Sequence, residues 1–169
     1  MSDSNAVSPT FVTTADEQYL LRAIAVARRA REHGNHPFGA LVVGPDGRVV
    51  EGENTVVTES DPTGHAETNV VRAAARAFTA DERRASSLYT STEPCEMCAG
   101  AIYWAGIGRL VYALPEQALA AMVPSQDGEP TMDLPCRTVF AAGGNPVHVA
   151  GPALLDEASA VHAGFWEQR

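Results

Sequence analysis

Residues 87–114 read SLYTSTEPCEMCAGAIYWAGIGRLVYAL, and they divide into three parts. Ser87 to Ser91 has the short apolar composition of a strand, and Glu93-Pro94 then breaks the chain. Cys95 to Ala105 carries a helical pattern, and Arg109 to Leu114 returns as a second strand. Strands joined through a helix predict a crossover connection, so this stretch belongs to a sheet covered by helices. Cys95 and Cys98 stand one helical turn apart and share a face, so both thiolates can reach one metal ion. Pro94 stiffens the turn before them.

Upstream, Asp61-Pro62-Thr63-Gly64 is a loop, and His65-Ala66-Glu67 opens a helix that runs to about Phe78. Both fragments therefore fall at helix starts, where free amides and the helix dipole favour negative charge. Zinc binds imidazole nitrogen and thiolate sulfur. His65, Cys95 and Cys98 supply three ligands and leave the fourth corner of the tetrahedron for water. Glu67 lies two residues from a ligand, so it can reach that water without binding the metal. Each fragment alone is weak, because C-x-x-C is also a redox pair or half of a closed zinc site. The redox reading lacks its thioredoxin-like context. A closed site would need a fourth ligand from Cys136, His33, His36, His148 or His162, none of them at finger-like spacing. The order and the leading proline point to one open, catalytic zinc per chain.

The rest of the chain supplies a frame. Residues 1–12 are expected to be a disordered arm, and 13–169 one domain. Thr14-Ala15-Asp16-Glu17 predicts a capping box and a helix to about Glu32, with Leu20, Leu21 and Ile24 as its apolar stripe. His33-Gly34 ends it. Phe38 to Val43, a Gly44-Pro45-Asp46-Gly47 turn, and Arg48 to Thr55 predict an antiparallel hairpin. Pro115 starts a short helix to about Met122, and residues 123–136 read as a long loop. Val147-His148-Val149 is the candidate fifth strand, and Pro152 is expected at the first position of a last helix to about Trp166. The order predicts an α/β fold: a three-layer α-β-α sandwich around a mixed five-stranded sheet.

Composition narrows the function. The chain has 169 residues and a net charge of −9, with its cations all arginine. Binding nucleic acid depends on clustered cations that neutralise phosphates, and the arginines here are mostly scattered. Nucleic acid is therefore not an expected partner. The sequence lacks an apolar run of membrane-spanning length and a signal-peptide pattern at its start, so no membrane is expected and a cytoplasmic location is. Three cysteines, two of them assigned to metal, do not make a disulfide framework. Cys136 reads as a small buried hydrophobe.

From about Asp16 to Phe165 the chain resembles the cytidine deaminase superfamily. The resemblance is carried by Asp61-Pro62-Thr63-Gly64-His65-Ala66-Glu67, by Tyr89 to Cys98 and by Ala101-Ile102-Tyr103-Trp104-Ala105. The order H-x-E then P-C-x-x-C is the pattern of zinc nucleobase deaminases. Pro37-Phe38-Gly39-Ala40 and Ile102-Tyr103-Trp104-Ala105 are most similar to the guanine deaminase branch, a relative of the tRNA adenosine deaminases. The resemblance implies a cytidine-deaminase-like fold, a homodimer, and a small-molecule nucleobase as substrate. It implies Glu67 as the proton carrier and Asn54, Phe38, Ala66 and Trp104 as the substrate contacts. It also implies a second proton-carrying carboxylate from the 123–136 loop, for which Asp127, Glu129 and Asp133 are the candidates. Guanine is the expected substrate. The alternatives are cytosine, an ammeline-type triazine or guanosine, then adenosine in tRNA. A non-catalytic zinc-stabilised binding protein is the alternative from a different class.

Overall fold

The computed structural model describes residues 10–123 and 132–168. Helix α1 (Thr14–Glu32) leads into strands β1 (Gly39–Val43) and β2 (Val49–Glu53). Helices α2 (Ala66–Ala77) and α3 (Ala80–Arg84) follow, then β3 (Ser87–Thr92), α4 (Glu96–Ala105) and β4 (Arg109–Leu114). Short helices α5 (Glu116–Ala120) and α6 (Cys136–Ala141), strand β5 (His148–Ala150) and α7 (Leu155–Ala160) complete the order, with a 3-10 turn at Trp166–Gln168.

The sheet runs β2-β1-β3-β4-β5. β1 is antiparallel to β2 and to β3, while β3, β4 and β5 are parallel, so the sheet is mixed as the sequence predicts. Side chains alternate across it. Leu41, Tyr89 and Val111 point into one apolar layer with α1 and α7, through Leu20, Ile24 and Ala158. Ala40, Val42, Leu88 and Leu110 point into the other, with α2, α4 and α6, through Val70, Ile102 and Phe140. The result is the three-layer sandwich.

Glycine decides one close approach that matters for the site. A Cβ at Gly52 would lie 2.6 Å from the carbonyl oxygen of Ala66 and from the amide nitrogen of Val70. Only glycine lets the first turn of α2 rest directly on β2, which puts His65 and Glu67 over the sheet.

Several expectations need correction. The capping box sits one residue earlier than predicted. Thr13 is the N-cap and Asp16 closes the box, because Asp16 is also drawn inward by Tyr89 and Arg109. Arg109 holds both Asp16 oxygens, at 2.7 and 2.9 Å. Leu21 is 41% exposed; Ala23 and Ala27 stand in the buried stripe with Leu20 and Ile24. The expected arm is already docked at its end: Val12 packs against the core and the carbonyl of Phe11 accepts from Arg109. Residues 1–9 of that arm lie outside the described residues.

Helices α3 and α6 were not expected. Helix α6 starts at Cys136, behind Pro135, inside the stretch read as loop up to 136. The last helix is shorter than predicted, and Pro152 does not open it: its N-cap is Leu154 and it stops at Ala160. Beyond it the Nη1 of Arg31, on α1, donates to the carbonyl oxygens of Val161 and Ala163, both at 2.8 Å. Those carbonyls are turned to the arginine instead of continuing a helix, and Gly164 at φ 67° completes the reversal.

Candidate active site

The N-termini of α2 and α4 meet at one end of the sheet. His65 is the N-cap of α2 and Cys95 the N-cap of α4, and neither side chain caps its own helix. Both are instead turned towards each other. His65 Nδ1 lies 3.6 Å from Cys95 Sγ and 3.5 Å from Cys98 Sγ. The three ligand atoms lie within 4.8 Å of one another. Nitrogen, sulfur and sulfur at that spacing are a donor set for one zinc ion, and the set stops at three, which leaves a position for a small molecule. Among the described residues no other His, Cys, Asp or Glu group of three has this arrangement.

Charge in the cluster is organised before any cation arrives. The Cys95 thiol is lowered to about 4, first by the hydrogen bond from Cys98 and then by His65. Cys98 is pushed up, by its hydrogen bond to Cys95 and by burial. His65 is raised, first by its bond to Cys95. Zinc bound here supplies a Lewis acid that brings the pKa of water towards ~7.

Glu67 is buried directly beside this cluster. Its Oε1 accepts the hydroxyl proton of Thr90 at 2.7 Å, and its Oε2 lies 3.5 Å from Cys98 Sγ. Burial raises its pKa, with the Thr90 bond opposing. A carboxylate raised above its ordinary range, beside the cluster, can both take and return a proton.

The walls are made by the loops at the same end of the sheet. Asn54 is buried; its amide N–H donates to the Phe38 carbonyl, and its Oδ1 accepts from the Val56 N–H. Among the described residues no acceptor takes the Asn54 side-chain N–H₂. Phe38 is half-buried, with its ring 5.4 Å from that of His162 and 6.2 Å from Trp166. Ala66 is buried in the first turn of α2. The structure thus brings Glu67, Ala66, Asn54 and Phe38 to the metal end of the sheet. Trp104 is not brought there: it is 85% exposed and touches Tyr103 edge-on. Asp133 is exposed, and Glu129 and Asp127 lie outside the described residues.

Other residues at the site carry roles that the sequence did not reveal. Asn69 donates to the Glu53 carbonyl and to Thr55 Oγ1, both at 2.9 Å, and so ties the first turn of α2 to the segment holding Asn54. Its place one turn after His65 was the available signal. Glu93 accepts from the amides of Glu116 and Cys136, each at 3.2 Å. It thereby caps α5 and α6, whose own N-cap residues are prolines without a side-chain acceptor. Glu116 is raised to about 7, first by burial and then by Glu96 and Glu93, with Asp133 contributing. Cys136 is fully buried, in keeping with a small core residue.

Residues 13–114 match the family described as the cytidine and deoxycytidylate deaminase zinc-binding region. The chain belongs to this family. It is 37% identical to the Schizosaccharomyces pombe protein named "Probable cytosine deaminase", over 95% of this chain and 98% of that one. It is 43% identical to the guanine deaminase of Bacillus subtilis over 98 residues, 57% of this chain and 63% of the relative. Among solved structures, a variant of the protein NE0047 in complex with 8-azaguanine superposes with a TM-score of 0.72 at 27% identity, covering 91% of this chain and 86% of that one. The fold is therefore that of the cytidine deaminase-like enzymes, the cofactor is zinc, and the chemistry is that of a deaminase, a hydrolase of C–N bonds.

Proposed function

We propose that this chain hydrolyses the exocyclic amine of a free nucleobase, with guanine as substrate and xanthine and ammonia as products. The observation that carries the reading is Glu67, a buried carboxylate with a raised pKa between Thr90 and the Cys98 sulfur. Glu67 takes a proton from water and delivers it to a ring nitrogen. The amine-bearing carbon becomes electrophilic, a carbon–oxygen bond forms, and the carbon–nitrogen bond then breaks. Glu67 carries the second proton to the departing amine, so one water enters and one ammonia leaves. Phe38 offers a ring face for stacking, and Asn54 offers an amide to the edge of the base.

Guanine is supported by that aromatic wall, by the 43% identity to a guanine deaminase and by the likeness to a structure that holds 8-azaguanine. A second reading, cytosine, is favoured by one observation. The likeness to the protein named for cytosine deamination runs over nearly the whole of both chains. Ammonia release from guanine, cytosine, adenine, guanosine, ammeline and a tRNA anticodon stem-loop separates these. Guanine ahead of the others supports the first reading, and cytosine ahead corrects the pocket while keeping the chemistry. Activity on the stem-loop with none on a free base overturns both. Glu67→Gln should lower turnover by ~10²-fold or more, as expected for a general acid–base group.

The same reading makes the protein a cytoplasmic homodimer. Trp104, with Met97 at 39% exposure, presents apolar surface on α4 that a second copy would cover. No described helix is long and apolar enough to cross a membrane.

A further inference from the structure

His162 follows α7 and is 2% exposed. Its position is fixed from both sides, because Arg31 holds the carbonyls of Val161 and Ala163. Trp166 Nε1 lies 3.3 Å from His162 Nδ1. An indole nitrogen only donates, so Nδ1 is the acceptor and the proton of the neutral ring is on Nε2. Burial, and then the charge of Arg31, lower the ring to about 4, so it stays neutral around pH 7. Nε2–H is therefore a fixed donor, and it is buried with no partner among the described residues. Buried polar groups are nearly always paired, and an orphan asks what supplies the missing acceptor.

The surroundings answer in terms of a ligand. The His162 ring stands 5.4 Å from the Phe38 ring, whose carbonyl in turn holds the amide of Asn54. We propose that His162 reads the substrate: its Nε2–H donates to a neutral acceptor, a carbonyl oxygen or ring nitrogen, on the edge of the base held against Phe38. This rests on the free-base reading given above. It makes His162 a specificity-determining residue. An oxo-bearing base satisfies the donor, whereas a base with an amine at that edge leaves two donors facing each other.

The test is equilibrium binding of guanine and of cytosine to the zinc-loaded Glu67→Gln protein, with His162 intact or changed. His162→Phe should weaken binding about tenfold, or about 1.4 kcal/mol. His162→Gln, which keeps a donor near the same place, should return to within about threefold. The thermal midpoint of His162→Phe should be no lower than that of its parent, because the unpaired donor is gone. Equal affinity in His162→Phe overturns the proposal. So does a loss shared by both variants together with early melting, which would mark a purely structural role. Should the Glu67-intact protein turn over neither base while binding still depends on His162, the reaction reading fails and this one stands. Normal turnover with binding indifferent to His162 reverses that outcome, and binding of neither base defeats both.

Discussion

Thr90 donates its hydroxyl to Glu67 Oε1 at 2.7 Å, from the middle of the central strand β3 to the first turn of α2. This bond opposes the effect of burial and so limits how far the Glu67 pKa rises. Thr90→Val removes it without changing shape. The carboxylate would then hold its proton to higher pH, and the acid limb of the kcat/KM profile should move upward, with kcat down about tenfold for the loss of one charge-assisted bond. Zinc content should not change. A superimposable pH profile would contradict this role for Thr90.

Metal binding should be the property most sensitive to Cys95 and Cys98. Parent protein is expected to carry one zinc per chain, and Cys95→Ala close to none, by metal analysis after dialysis. The pH dependence has a definite sign. Cys98 and His65 are both raised in the metal-free cluster, so zinc must displace protons to bind. Affinity should therefore fall as pH falls. Full zinc retention in Cys95→Ala would remove the assignment.

Acid should erode stability in two pH windows. His162 is held to about 4, below the ordinary imidazole range. Between pH ~6.5 and 4 the unfolded chain takes up that proton first, so stability declines as pH drops. For Asp16, burial pushes upward but the bonds from Arg109, Thr13 and Tyr89 prevail, and its pKa lies well below the carboxylate range. Its contribution is fully present above ~3.9 and is lost as pH falls further. Asp16→Asn removes the carboxylate charge that faces Arg109 in the core and should cost ~3–5 kcal/mol in denaturant titrations. A change under ~1 kcal/mol would mean that the pair is not a structural support.

Sedimentation at micromolar concentration should give about twice the 17.9 kDa chain mass. Trp104→Glu, which puts a charge on the exposed face of α4, should give the monomer mass with the fold intact. A monomeric parent would remove the proposed dimer.

The metal site was legible because its residues are close in sequence to features that are themselves local. Pro94 and Gly64 mark the breaks, and Cys95 and Cys98 are one turn apart. β4 was read to its end residues, since all six of its side chains are buried and the one charged member, Arg109, stands at its first position. What escaped depends on distant partners. Thr13-Thr14 and Asp16-Glu17 offer two equivalent capping boxes, and Arg109, 93 residues away, selects one. Helix α6 takes its cap from Glu93, 43 residues upstream, which no local pattern shows. The last helix is cut short by Arg31, 130 residues away. Trp104 reads the same in a sequence whether it faces a pocket or solvent; only the packing of α4 decides.

His65 and Cys95 occupy positions where Ser, Thr, Asp or Asn normally fasten a helix start, and neither fastens its own. An ion held by His65, Cys95 and Cys98 would clamp the two first turns together, adding to the weak Glu67–Cys98 contact at 3.5 Å. Stripping it should fray them together: amide hydrogens at 66–69 and 96–99 would exchange with deuterium faster, while those of β3 and β4 stay protected. The helix ends would then report metal occupancy to any partner or protease that senses a loosened turn.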